Sequence, residues 1–106
     1  MKNQFIFQFD DGAWLDIGLC AGAIQILTHY HAVWTLSDVV YYQFRKMLKS
    51  FLVDNNYKLS LPEIMLHYNS DLDNFIVVAG ASVCIPIKFS RSEMEKFISL
   101  LDSINP

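Results

Sequence analysis

The chain has little of what several common functions require. Only two of its 106 residues are cysteine. Cys20 and Cys84 stand far apart in apolar stretches, so they form neither a disulfide framework nor a Cys-x-x-Cys motif. A reduced cysteine in such a stretch behaves as a small hydrophobe; core is the reading for both, and a bridge between them is the alternative. Glycine occurs four times and never as Gly-x-Gly-x-x-Gly or a Walker loop, so no phosphate cradle is encoded. Lys and Arg number eight against eleven Asp and Glu, for a net charge of −3 and a pI of about 5.4. Because phosphate neutralisation supplies most non-specific affinity for nucleic acid, this balance argues against a nucleic-acid partner. No apolar run approaches the roughly 18–20 residues that span a bilayer. The start, Met1-Lys2-Asn3-Gln4-Phe5, enters a strand-like pattern directly, without the apolar stretch and cleavage site of a signal peptide. A cytoplasmic chain with no membrane partner is the expectation.

What is present is apolar side chain. Hydrophobic residues make up 53% of the chain and charged residues 18%, against about 45–50% apolar in an ordinary domain. The length suits one domain, residues 1–106, and is too short for two cores. The apolar surplus fills a core or supplies a patch for a partner.

Periodicity assigns most of the chain. Phe5, Phe7 and Phe9 alternate with Ile6 and Gln8 as in a strand, and Asp10-Asp11-Gly12 makes a hairpin turn. Leu15, Ile17 and Leu19 then share one face of a second strand, with Trp14, Asp16 and Cys20 on the other. After Ala21-Gly22, a third strand runs through Ile24, Ile26, Thr28 and Tyr30 to about His31. Helix competes over residues 20–33, and β-branched and aromatic content decides for strand. Thr35-Leu36-Ser37-Asp38 reads as a variant capping box, with Trp34 and Val39 as its hydrophobic staple. The following helix shows a stripe of Leu36, Val40, Phe44, Met47, Leu48 and Phe51, ending at Asp54-Asn55-Asn56.

The second half repeats the order. A short extended piece covers Tyr57 to Leu61, before Pro62. Ile64, Leu66 and Tyr68 alternate; residues 69–74 form a polar loop; Phe75 to Ala79 reads as a strand buried on both faces. Val83, Ile85, Ile87 and Phe89 form the last strand. Ser90-Arg91-Ser92-Glu93 is a full capping box with Phe89 and Met94 as staple, opening a helix with Met94, Phe97, Ile98, Leu101 and Ile104 on one side. Ala21-Gly22-Ala23 and Ala79-Gly80-Ala81 match across the halves. The predicted fold is α+β: tandem βββα units, antiparallel sheets and two amphipathic helices on their apolar faces.

Chemistry is sparse. His29 and His31 share a strand face, a spacing that can chelate a metal, but nothing sets a third ligand, from His67 or the acids, beside them. Asp71 and Asp73 resemble the start of a calcium loop without its turn glycine or closing Glu. Asp16 alternates outward beside Trp14, and neither cysteine has a base placed to activate it. The expectation is a non-enzymatic protein with no metal and no cofactor.

Acidic residues gather instead at turns. Asp10-Asp11 and Asp71-Asp73 fall at equivalent hairpin ends if the halves repeat, flanked by Trp14 and Tyr68. Acidic loops beside aromatic anchors suit a basic cleft. Asp10, Asp11, Trp14, Tyr68, Asp71 and Asp73 are therefore the expected partner-binding residues.

In element order the chain resembles the Whirly single-strand-binding fold, though it lacks that fold's Lys-Gly-Lys signature. Trp14, Tyr30, Trp34, Tyr41 and Tyr42 would offer stacking surfaces, but the basic residues scatter apart from Arg45, Lys46 and Lys49. In size, charge, element order and C-terminal amphipathic helix it also resembles the immunity proteins of contact-dependent growth inhibition and related bacterial toxin systems. One branch of these is similar to Whirly proteins in topology without binding nucleic acid. The resemblance implies a protein partner, a toxin domain, neutralised by covering its active site; the acidic tips suit a nuclease, whose cleft must hold phosphates. It carries over no site residue. A type III secretion chaperone, also small, acidic and α+β, and a Whirly-like nucleic-acid binder are the alternatives.

Overall fold

Apolar side chains on alternate positions give the first strands one face each to bury. The computed structural model of the chain describes residues 4–20, 22–28, 33–54, 61, 64–79 and 85–104, with Cys20, Ala79 and Ile85 by backbone alone. Strands β1 (Gln4–Gln8) and β2 (Trp14–Cys20) pair antiparallel, with Phe7 opposite Leu15 and Phe5 opposite Ile17. The turn between them is closed by the Phe9 N–H donating to the Ala13 carbonyl at 2.8 Å. Gly12 adopts a φ of +93° there, a conformation that a Cβ would strain. Strands β3 (Ala23–Thr28) and β4 (Val33–Ser37) extend this sheet in chain order. Strands β5 (Ile64–Asn69), β6 (Asn74–Ala79) and β7 (Ile85–Ser90) form a second meander. Helix α1 (Asp38–Val53) follows β4 and helix α2 (Arg91–Asp102) follows β7.

The chain adopts the expected α+β class, with antiparallel sheets and two amphipathic helices. The units differ by one strand: the first runs ββββα, the second βββα among the described residues. The extra strand is β4, where a helix start was expected. Thr35 is not the N-cap; it lies in the ladder opposite Gln25, and Ser37 caps α1 by accepting from the Val40 N–H at 3.3 Å. Val33, Trp34, Thr35 and Leu36 alternate out and in and pair with β3 along one edge, so the chain stays extended there and the helix is delayed. Val39 is consequently exposed, and Leu36 and Tyr41, both buried, take the staple positions. Counted back from the helices, Asp10-Asp11 and Asp71-Asp73 fall at different hairpins; Ala21, Gly80 and Ala81 of the two Ala-Gly-Ala segments lie outside the described residues. Strand β6 is buried on one face rather than two: Phe75 and Val77 are buried, while Ile76 and Val78 on the face away from the helices are partly exposed. Of the extended piece 57–61, only Leu61 is described, in an isolated bridge with Ile64. His29, Tyr30, His31, Pro62, Val83 and Cys84 lie outside the described residues.

The helices pack on each other, α1 also against β3 and β4 and α2 against β6 and β7. Helix α1 buries Tyr41, Phe44, Met47, Leu48 and Phe51, and α2 buries Met94, Phe97, Ile98 and Leu101. Four phenylalanines join the halves. Phe7 lies 5.3 Å from Phe97 between ring centres, Phe9 5.1 Å from Phe89, and Phe89 is stacked on Phe97 at 4.9 Å. Each buried ring contributes about 1.5–3 kcal/mol, more than any single surface ion pair. Across the second junction, Phe51 of α1 meets Phe75 of β6 edge-on at 5.4 Å. Along β7, an edge strand, Pro86 and Lys88 are exposed.

Tyr41 fastens α1 to the end of α2. Its hydroxyl donates to the Leu101 carbonyl at 2.5 Å, which also accepts from the Ile104 N–H at 3.1 Å, and the Ile104 carbonyl beyond the helix end lies at 3.3 Å. Burial pushes its pKa up from 10.0 to about 12, against a smaller downward pull from Arg45, whose guanidinium lies 5.0 Å from the ring centre. A raised pKa in the folded chain means stability present below pH 10 and lost as pH climbs through 12. Tyr41→Phe should cost about 1 kcal/mol at neutral pH. It should also unfold less steeply than the parent between pH 10 and 12, as read by urea midpoints.

Candidate functional site

The β1–β2 turn and the β7–α2 junction meet at one end of the molecule through a single side chain. Ser90 caps α2 by accepting from the Glu93 N–H at 3.2 Å, and Glu93 Oε1 accepts from the Ser90 N–H at 2.8 Å. The second oxygen, Oε2, accepts from the backbone N–H of Asp10 at 2.8 Å. Glu93 is buried while Asp10 and Ser90 are more open, so water screens these charge-assisted bonds only in part. Beside it is an open pocket of about 240 Å³, lined in part by Asp10, Asp11, Asn74, Lys88 and Ser90. Asn74 directly follows the β5–β6 turn, so the two acidic hairpins reach the same end despite their different places in the strand order.

The expected partner-binding residues divide into two groups. Asp10, Asp11 and Asp71 are exposed. The Asp11 carboxylate accepts from the Ala13 N–H at 2.9 Å and so shapes its own turn. Trp14 is half-buried at the start of β2, opposite Gln8. Among the described residues no cation lies within salt-bridge distance of Asp10, Asp11 or Asp71, and Lys88 shares the pocket without pairing.

Tyr68 and Asp73 are committed within the chain. Asp73 accepts from Arg91 Nε at 3.1 Å and from its terminal nitrogen at 3.0 Å, and takes the Tyr68 hydroxyl as well. Arg91 holds the Asp73 carboxyl below its ordinary range, with the Tyr68 hydrogen bond adding to the effect. Arg91 also lies 5.0 Å from the centre of the Phe75 ring, and the Tyr68 ring rests on Phe75 at the same distance. Asp73 has a φ of +50°, tolerated by Asp in a turn. It is a structural anchor of the turn, which leaves Asp71 as the outward acid.

Chemically, this end can attract and orient positive charge. No group of three or more His, Cys, Asp or Glu converges to hold a metal among the described residues, and His67 is exposed on β5. No described helix is long and apolar enough to cross a membrane. No family model matches the chain, and no curated protein is similar to it.

Sequence reasoning found Glu93 as a cap but missed its tie to Asp10, which no local pattern marks. It also missed Arg91, for which a signal existed. A cation in the first turn of a helix opposes the dipole and asks for a carboxylate nearby.

Glu93→Gln keeps one acceptor and loses the other, so it should destabilise by about 1.5–3 kcal/mol. Ser90→Ala should cost nearer 1 kcal/mol. Faster amide exchange at Asp10 in the first variant alone would identify the tether. A depressed Asp73 pKa contributes stability above the ordinary carboxylate value of 3.8, lost as pH falls through the folded one. Asp73→Asn should therefore flatten the acid limb of stability against pH, followed by urea midpoints from pH 5 downward.

Proposed function

We propose that the chain is an immunity protein that binds and neutralises a cognate bacterial toxin, a nuclease, by covering its active site. The observation that supports this reading is the exposed pair Asp10 and Asp11 on a turn held by Glu93, with no described cation balancing either. A nuclease cleft must hold phosphates and is therefore basic, so it attracts such an end by long-range steering. The tethered turn limits the ordering cost of association. Trp14 beside it provides a ring of the kind that anchors interfaces, and Asp71 adds charge at the same end. A partner of this type places the chain in the cytoplasm, where it protects the cell that makes the toxin.

Affinity capture from the source cell's lysate should retain a toxin nuclease domain, whose cleavage of nucleic acid should cease at a one-to-one ratio. The double variant Asp10→Lys and Asp11→Lys should slow association by at least about tenfold at low salt, with the gap narrowing as salt rises. If the captured nuclease stays fully active in the complex, or no nuclease is captured, the proposal fails. A salt-sensitive shift of single-stranded oligonucleotides would point instead to nucleic acid.

A further inference from the structure

The outer face of the first sheet carries a second recess, built differently from the acidic end. Strand register sets Gln4, Gly18 and Gln25 in one row, and Ile6, Asp16, Leu27 and Val33 in the next. Gly18 contributes no side chain at the centre of this face, and a Cβ built there would meet nothing within 4 Å. Its backbone is not in the left-handed region, so the turn-forming freedom of glycine is not what the position uses. Glycine inside a strand costs about 0.5–1 kcal/mol relative to alanine. Here that loss leaves an open recess of about 340 Å³, whose walls are Gln4, Asp16, Gln25, Leu27 and Val33.

The charge in the recess is singular. Asp16 is the one charged side chain among the described residues of this outer face, and no described Lys or Arg lies within salt-bridge distance of it. Gln4 Nε2 donates to both of its carboxylate oxygens, at 3.0 and 2.8 Å, and so fixes their direction. Ile6 and Val33 in the same row are 66% and 56% exposed, giving the recess an apolar rim.

We infer that this recess is a docking site for an arginine side chain of a protein partner. The guanidinium meets the oriented Asp16 carboxylate, and the aliphatic stem lies in the Gly18 gap against Leu27 and Val33. Several features select this occupant. An anion would be repelled by Asp16, and a purely apolar group would strand that carboxylate out of water. Gln4 already bridges the two oxygens on one side, so an incoming cation meets their remaining lone pairs, and a weakly hydrated guanidinium sheds less water to do so than an ammonium. The long stem of arginine also suits an aliphatic wall. This chemistry holds for any protein partner, so it goes beyond the toxin reading. Trp14 lies two residues from Asp16 on the same face of β2, toward the acidic turn.

The test is an amide-resolved NMR titration of the full chain with a blocked Gly-Arg-Gly peptide, and with its citrulline counterpart, which keeps the shape and lacks the charge. The arginine peptide should shift Asp16, Gly18 and Gln25 in the millimolar range, and the citrulline peptide should leave them in place. Gly18→Val has room for its Cβ and favours strand, so its thermal midpoint should hold or rise while the arginine-dependent shifts vanish. Asp16→Asn should weaken the response by at least about tenfold, and it carries the test alone if the valine variant does not fold. Equal shifts with citrulline, shifts centred on Asp10 and Asp11, an unchanged response in a folded Gly18→Val, or no response at all would each overturn the assignment.

Discussion

One carboxylate ties the beginning of this chain to its end. Glu93 spends one oxygen on the cap of its own helix and the other on a backbone N–H 83 residues earlier. Neither bond could be dropped cheaply, because a buried carboxylate with an unused lone pair costs more than an exposed one. The residue therefore dictates where the β1–β2 turn sits relative to α2. The carboxylates at this end divide their labour accordingly: Glu93 builds the support, and Asp10 and Asp11 face outward on it.

The rest of the packing makes that support stiff. Phe7 and Phe9 from the first hairpin interlock with Phe89 and Phe97 from the second unit. The turn is thus backed by rings from both halves rather than by its own hairpin alone. At the opposite ends of the helices, Tyr41 closes the α1–α2 contact, reinforced at the surface by Lys49 on Asp102 at 2.9 Å. The exposed salt bridge is worth little beside the buried hydroxyl. The acidic turn and the outer sheet face both rest on elements fixed from behind, so their geometry needs no ligand to impose it.

Much of this fold was legible because its strands and helices are periodic and locally capped. The Ser90–Glu93 box needs only four consecutive residues to be recognised, and it is present. The first helix start was misread because Thr35 and Ser37 both supply a hydroxyl at cap spacing. The choice between them is made by pairing with β3, a contact no local pattern reveals. The acidic tips were readable from turn chemistry, yet exposure was not: Asp71 is free while Asp73, two residues on, is held by Arg91. Asp16 was placed correctly on the outer face. Its importance emerges only when β1 and β3 lay Gln4 and Gln25 around the empty position of Gly18.

Strand β7 closes the second sheet with a margin that resists lateral growth. Pro86 offers no N–H, and Lys88 would have to shed its hydration if a foreign strand were laid alongside. An extended polypeptide drifting past, whether nascent, misfolded or another copy of this chain, finds a poor template there. Two residues thus guard the molecule's open margin against any chain that brings only a bare backbone.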